Sequence, residues 1–176
     1  MDKFRLRKEV RQRIALLSQD EKKKRGMLFC NDIKRYLDVC GARVVALFCP
    51  LADEPLITGL ADELVGRMLV AVPRVEGDIM RFYAYDSSNM QIGSFGISEP
   101  VGDVPLEPED IDLMIVPGVV FTADGSRMGR GKGFYDKYMS QPGFRAMKIG
   151  ICYAEQVVGN LPLESHDVKM DCVIYH

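Results

Sequence analysis

Tryptophan is absent, and histidine occurs only as His166 and His176. With two imidazoles in the whole chain, a zinc centre of the His/Cys kind has little to draw on. The five cysteines, Cys30, Cys40, Cys49, Cys152 and Cys172, are odd in number and include no C-x-x-C pair. That pattern argues against a disulfide framework and against a zinc ribbon. It predicts reduced thiols in a cytoplasmic protein, most of them acting as small core hydrophobes. No apolar run is long enough for a transmembrane helix. The opening Met-Asp-Lys-Phe-Arg-Leu-Arg-Lys-Glu-Val is too charged to read as a signal peptide. An excess of positive charge is also lacking: 23 Lys and Arg face 25 Asp and Glu, for a net charge of −2 and a pI near 5.7. A general nucleic-acid binder needs a basic face, so that class is not expected, and neither is a membrane partner. A G-x-S-x-G elbow and an evident Cys–His pair are missing too, so nothing suggests a covalent nucleophile. What remains is a chain of 176 residues, 47% hydrophobic, sufficient for one domain spanning 1–176 with its own core.

Residues 3–17 place Leu6, Val10, Ile14 and Leu17 on one stripe between charges, which predicts a helix. Ser18 and Glu21 form an S-x-x-E capping box. A second helix should therefore start there and run to about Leu37, with Met27, Leu28, Ile33 and Leu37 inward, before Gly41. Arg43–Phe48 and Met68–Val72 read as buried strands, and Asp53–Val65 as the helix between them, with Leu56, Leu60 and Leu64 on one face. A strand, helix and strand in that space make a parallel βαβ unit. Ile79–Tyr85 alternates like an edge strand, Gly93–Pro105 reads as a loop, and Ile111–Val116, Met147–Cys152 and Val173–Tyr175 are further strands. The expected fold is a single α/β domain with a mainly parallel sheet flanked by helices. In such sheets ligands bind beyond the carboxyl ends of the strands, here after Phe48, Val72, Val116 and Cys152.

The segment after Val116 carries the chemistry. It reads Pro117-Gly118-Val119-Val120-Phe121-Thr122-Ala123-Asp124-Gly125-Ser126-Arg127-Met128-Gly129-Arg130-Gly131-Lys132-Gly133-Phe134-Tyr135-Asp136. Gly125, Gly129, Gly131 and Gly133 alternate with the cations Arg127, Arg130 and Lys132, and Phe134–Met139 looks like the start of a helix. Glycine lets backbone N–H groups approach an anion, and Arg and Lys neutralise it. Strand, cationic glycine loop and helix together predict a phosphate cradle. It is not a Walker A loop, since Gly133 follows Lys132 where Ser or Thr would stand, and its glycine spacing is not that of a dinucleotide fold. Asp136 in the first helical turn suits the helix dipole, and it also suits Mg²⁺ beside phosphates, with Asp167 as a second carboxylate ahead of the last strand.

These residues resemble the signature of the 5-formyltetrahydrofolate cyclo-ligase family. The resemblance runs from Asp112-Leu113 through Val116-Pro117-Gly118 and Phe121 to Gly125-x-Arg127-x-Gly129-x-Gly131-x-Gly133-x-Tyr135-Asp136. Further matches are Lys3-x-x-Leu6-Arg7, Phe48-x-Pro50-x-x-x-Glu54, Pro73-Arg74, Phe95-Gly96-Ile97-x-Glu99-Pro100 and His166-Asp167-x-x-x-Asp171, so the resemblance covers essentially the entire chain. It implies a fold similar to the sugar-phosphate isomerase and CoA-transferase-like group. It also implies an ATP- and Mg²⁺-dependent closure of 5-formyltetrahydrofolate to 5,10-methenyltetrahydrofolate, with ADP and phosphate released.

The implied ATP site comprises Lys3, Phe4, Arg5, Leu6 and Arg7, then Arg127, Met128, Gly129, Arg130, Gly131, Lys132, Gly133, Phe134 and Tyr135, so residues 1–7 become a working part of the enzyme. The implied folate contacts are Cys49, Glu54, Arg130, Gly131, Lys132 and Gly133. Asp136 and Asp167 would hold the metal, and Arg130 and Lys132 would stabilise the transferring phosphoryl group. The expected partners are small molecules only, a reduced folate and ATP, on a monomer. Two alternatives stay open from the residues alone: a sugar-phosphate isomerase or CoA-transferase-like enzyme using the cradle without ATP, and a non-catalytic nucleotide- or folate-binding regulator.

Overall fold

The computed structural model describes residues 2–176; Met1, the first of the seven N-terminal residues assigned above to the nucleotide site, lies outside the described residues. Two helices open the chain, α1 (Lys3–Ala15) and α2 (Gln19–Cys40). Ser18 caps α2 by accepting from the Glu21 N–H at 3.1 Å, as the capping box requires, and Gly41 ends it at φ 66°, where a side chain would be strained. Then come β1 (Val44–Ala46), the short α3 (Leu60–Leu64), β2 (Leu69–Glu76), β3 (Ile79–Ala84), β4 (Met90–Ile92), β5 (Ser98–Pro100) and β6 (Leu113–Val116). The chain closes with β7 (Val120–Phe121), β8 (Arg127–Met128), α4 (Phe134–Met139), β9 (Met147–Cys152) and β10 (Cys172–Tyr175).

Six strands form the main sheet in the order β10-β9-β6-β1-β2-β3. All neighbours are parallel except β2 and β3, which pair antiparallel from Ala71↔Ala84 to Glu76↔Ile79. Each strand points alternate residues to opposite faces. Val45, Leu113, Ile115, Ile149 and Ile151 pack with Leu6, Val10, Ile14, Phe29 and Ile33 of α1 and α2. Ala46, Met114 and Val116 pack the other way with Phe82, Tyr138 and Met139. From β1 the chain proceeds to β2 on one side, and the sheet continues through β6 on the other. The strand order therefore reverses between β1 and β6, which is where an open α/β sheet leaves a crevice for ligand.

Three expectations need correction. The inward stripe of α2 is Lys22, Gly26, Phe29, Ile33 and Leu37, whereas Met27 and Leu28 are exposed. Gly26 belongs to the buried stripe because a Cβ there would meet the Leu56 carbonyl at 2.3 Å, so the helix turns its smallest residue to that contact. The helix expected over 53–65 is only Leu60–Leu64. Ahead of it the Glu54 carboxylate accepts from the Leu51 N–H at 3.0 Å and Gly59 turns at φ 87°, so side-chain bonding replaces the helical ladder. Finally, the loop expected over 93–105 contains β5, which pairs with β4 as a small hairpin, Gln91↔Glu99 at its centre.

Candidate functional site

Phe48 and Cys49 follow β1, and Pro117 and Gly118 follow β6; between these strand ends lies a cleft open to solvent. The apolar wall is built by Phe48, Pro73, Val75 and Met80 with Phe95 and Ile97 from the hairpin. The opposite wall is the glycine loop: Gly129, Arg130, Lys132, Gly133, Phe134, Tyr135 and Asp136, with Arg127 beneath.

The loop departs from a simple strand–loop–helix. β7 and β8 form a hairpin, Val120↔Met128 and Phe121↔Arg127, before the glycines. Gly125 belongs to that hairpin's turn and does not line the cleft. Gly131 at φ 104° and Gly133 at φ 70° occupy the region closed to side chains, and this lets the backbone double back ahead of α4. With six residues, α4 offers only a short dipole, so side-chain cations carry most of the positive charge here.

The three cations of the motif have three different surroundings. Arg127 is buried, donating to the Pro117 carbonyl at 3.1 Å and to Asp136 at 2.7 Å. Arg130 reaches back across the cleft, where its guanidinium pairs with Asp53 and donates to Glu54 at 3.0 and 3.2 Å. Lys132 lines the cleft, is exposed, and has no protein partner among the described residues. Burial opposes ionisation of Asp53, but Arg130 and Arg11 outweigh it and hold the carboxyl below its usual range. Burial pushes the Glu54 carboxyl up, against the pull of the Leu51 N–H and Arg130. Glu54 is fixed from behind: the Tyr153 hydroxyl donates to its carbonyl at 3.1 Å, and Lys22 donates to Ala52 at 3.0 Å. Cys49 is half-buried beside it, its thiol pushed up to about 11 by burial and by Glu99. Burial, and then the charge of Glu54, pushes the Tyr135 phenol up as well.

α1 docks against this loop. Leu6, Val10 and Ile14 are buried, so the Leu6 side chain belongs to the core. Four residues apart and flanking that buried stripe, Lys3, Arg7 and Arg11 form a row. Arg7 donates to the Gly129 carbonyl at 2.8 Å, Arg11 lies 3.3 Å from Asp53, and Lys3 lies 3.2 Å from Asp167 and 3.4 Å from Glu164. Phe4 and Arg5 stay exposed. Sequence reasoning missed Arg11 and Asp53; the row Lys3, Arg7, Arg11 was the available signal for the first, and the position beside Glu54 for the second.

Asp136 and Asp167 share one edge, since Asp136 Oδ1 accepts from the N–H of Val168 at 3.1 Å. Asp167 is held below its usual range: burial opposes this, but the Glu164 N–H and Lys3 prevail. Ligand atoms of Glu164, His166 and Asp167 lie within 4.8 Å of one another. Carboxylate oxygens from adjoining segments suit a hard cation such as Mg²⁺, and each is already placed against positive charge, Arg127 on Asp136 and Lys3 on Asp167. In kind the carboxylates suit Mg²⁺, but Asp136 lies outside the cluster of Glu164, His166 and Asp167, and a cation there shares it with Arg127.

A mainly parallel α/β sheet whose switch point opens on an apolar cleft, faced by a glycine loop that carries Arg130 and Lys132, is suited to a phosphate-bearing ligand. The family model described as the 5-formyltetrahydrofolate cyclo-ligase family matches residues 1–176. Among curated proteins, the chain is 24% identical to 5-formyltetrahydrofolate cyclo-ligase of Mus musculus, covering 97% of this chain and 91% of the mouse protein. Among solved structures, 5,10-methenyltetrahydrofolate synthetase of Aquifex aeolicus superposes with a TM-score of 0.89 at 32% identity, covering 99% of this chain and 90% of that one. The synthetase of Mycoplasma pneumoniae superposes with a TM-score of 0.79 at 28% identity, covering 99% and 98%. The chain belongs to the 5-formyltetrahydrofolate cyclo-ligase family.

Proposed function

We propose that residues 1–176 form one cyclo-ligase domain that uses ATP to convert 5-formyltetrahydrofolate to 5,10-methenyltetrahydrofolate in the cytoplasm. The observation that carries this reading is the cleft itself, where Lys132 and the glycine backbone face an apolar wall across a gap bordered by Glu54. N10 of the folate can attack the formyl carbon, but the amide oxygen is a poor leaving group. Transfer of the terminal phosphoryl group of ATP to that oxygen releases ADP. N10 then bonds to the carbon, the C–O bond breaks, phosphate departs, and N10 gives up its proton. The protein's work is positioning and charge neutralisation.

In this reading Lys132 meets the transferring phosphoryl group, and the loop's N–H groups hold its oxygens. Arg130, now on Asp53 and Glu54, ties the phosphate wall to the folate wall and orders Glu54 for the substrate. Lys3 and Arg7 present charge to the nucleotide from α1. Asp136 and Asp167 would hold Mg²⁺, which supplies a counter-charge for the phosphates when bound. No helix among the described residues is long and apolar enough to cross a membrane.

The test is the absorbance of the methenyl product from 5-formyltetrahydrofolate and ATP over a series of Mg²⁺ concentrations. Product that requires both ATP and Mg²⁺ is expected, and its absence removes the reading. Asp167→Asn should raise the Mg²⁺ concentration for half-maximal rate, because the amide keeps the shape and deletes the charge. An unchanged half-saturation point would leave Asp167 a pairing partner of Lys3 and nothing more.

A further inference from the structure

Three buried carboxylates line the cleft, Glu54, Glu99 and Asp136, and Asp136 takes Arg127. Glu54 takes Arg130. Glu99 is 4% exposed, and among the described residues no Lys, Arg or His pairs with it. A buried carboxylate without a counter-charge is costly unless donors satisfy it. The protein supplies one: the Val75 N–H donates to Oε1 at 3.2 Å.

The position is nonetheless carefully held. β5 pairs with β4, setting Glu99 opposite Gln91. Arg74 donates to the carbonyls of Pro100 at 3.1 Å and Gly102 at 2.8 Å; its own guanidinium is fixed by Glu76 at 2.6 Å and lies 3.8 Å over the Tyr83 ring. Gly93 gives the carboxylate its room, since a Cβ there would lie 2.0 Å from Glu99 Cδ. The Pro73-Arg74 and Phe95-to-Pro100 segments, neither of which the phosphoryl chemistry uses, thus form one device that delivers Glu99 to the cleft.

We propose that Glu99 is the specificity-determining residue for the ring of the second substrate. Its carboxylate accepts from two adjacent donors, the 2-amino group and the neighbouring ring N–H of a 2-amino-4-oxopyrimidine, while Pro73, Val75, Phe95 and Ile97 cover the ring faces. Those two donors are spaced like a guanidinium's, so a carboxylate fork matches them. A ring without the amino group leaves an oxygen unpaired in an apolar place, and that is how a site rejects an analogue. This rests on the folate reading above.

Steady-state rates with 5-formyltetrahydrofolate and with its 2-desamino-2-methyl analogue, on wild type and Glu99→Gln, decide it. Wild type should lose about tenfold or more in kcat/KM on the analogue. Glu99→Gln should raise KM for formyl-folate about tenfold, leave KM for ATP unchanged, and no longer distinguish the two ligands. Its remaining amide oxygen still accepts from Val75, so thermal unfolding should be near that of wild type. Equal use of both ligands by wild type overturns the proposal without any variant. A Glu99→Gln enzyme with normal KM and normal discrimination, or one whose only defect is a lowered unfolding temperature, overturns it as well. If wild type makes no methenyl product from the full substrate, the folate reading itself falls, a result distinct from either of those.

Discussion

The glycine-loop wall of the cleft is held by charge, and the β2 wall by apolar contact. On the first, Lys3–Asp167, Arg7–Gly129, Arg11–Asp53 and Arg130–Glu54 link segments far apart in the chain. On the second, Phe48, Pro73, Val75, Phe95 and Ile97 supply the apolar lining. The difference also runs within the charged wall. The side chains of Lys3 and Asp167 are 24% and 15% exposed, so that pair is only partly shielded and a ligand's charge can reach it. Arg127 and Asp136 are 2% and 12% exposed, and that pair is part of the framework. Cations that look equivalent in sequence thus divide into a buried brace, a cross-link and a free charge.

The buried brace should give the largest effect. Arg127→Ala leaves the Asp136 carboxylate without its cation and is expected to cost about 3–5 kcal/mol of stability. Denaturant unfolding measures it as a fall in midpoint at constant slope. A loss of turnover with unchanged unfolding would place Arg127 among the ligand-contacting cations and erase the division. Lys132→Ala should do the opposite. It should lower kcat by about 100- to 1,000-fold, as loss of a donor to a developing charge does, with unfolding unchanged to within about 0.5 kcal/mol. Normal turnover in this variant would remove Lys132 from the chemistry.

The apolar wall has its own probe in Cys49. Burial first, then the charge of Glu99, moves its thiol from 9.0 to about 11. At pH 8 its thiolate, and with it its alkylation rate, should be about a hundredfold below that of a thiol at the ordinary value, rising tenfold per pH unit until about pH 11. Mass-spectrometric timing of iodoacetamide labelling, with the exposed Cys40 as the internal fast site, reads this directly. Equal rates at pH 8 would mean that the wall is wet, and the contrast between the two sides would dissolve.

Period and punctuation in the sequence were enough for the six strands of the main sheet, but not for β4, β5, β7 and β8. Met147–Cys152 and Phe134–Met139 stand where the pattern puts them, because a continuous apolar run and a glycine before an aromatic leave few choices. Tertiary contact overrode period elsewhere. In α2 the stripe through Gly26 and Phe29 won over one through Met27 and Leu28, since the bulk that must be avoided belongs to Leu56, thirty residues away. The glycine loop was legible as an anion cradle from composition. The partition of Arg127, Arg130 and Lys132 was not, because it depends on Asp53 and Glu54 arriving from one segment and Asp136 from another. Glu99 carried only its place in a motif; its burial without a cation is a fact of packing that no spacing rule contains.

The smallest effect is expected at the edge of the charged wall, where α1 meets the loop. Leu6, Val10 and Ile14 anchor this helix, so the adjoining row of Lys3, Arg7 and Arg11 is held in place without help from its charges. Arg7 donates its Nε to the Gly129 carbonyl, which orders the loop and leaves the rest of the guanidinium near Gly131. One charge-assisted hydrogen bond is worth about 1.5–3 kcal/mol when fully made, and less where water competes. Arg7→Ala should therefore weaken ATP binding by about tenfold, equivalent to about 1.4 kcal/mol, without unfolding the helix. Lys8 is exposed and off that face, so Lys8→Ala should bind ATP as wild type does. Calorimetric titration of ATP into the three proteins separates a local contact from general electrostatic attraction. If Lys8→Ala and Arg7→Ala lose affinity equally, the nucleotide is drawn by net charge alone, and the N-terminal helix is scaffold and not site.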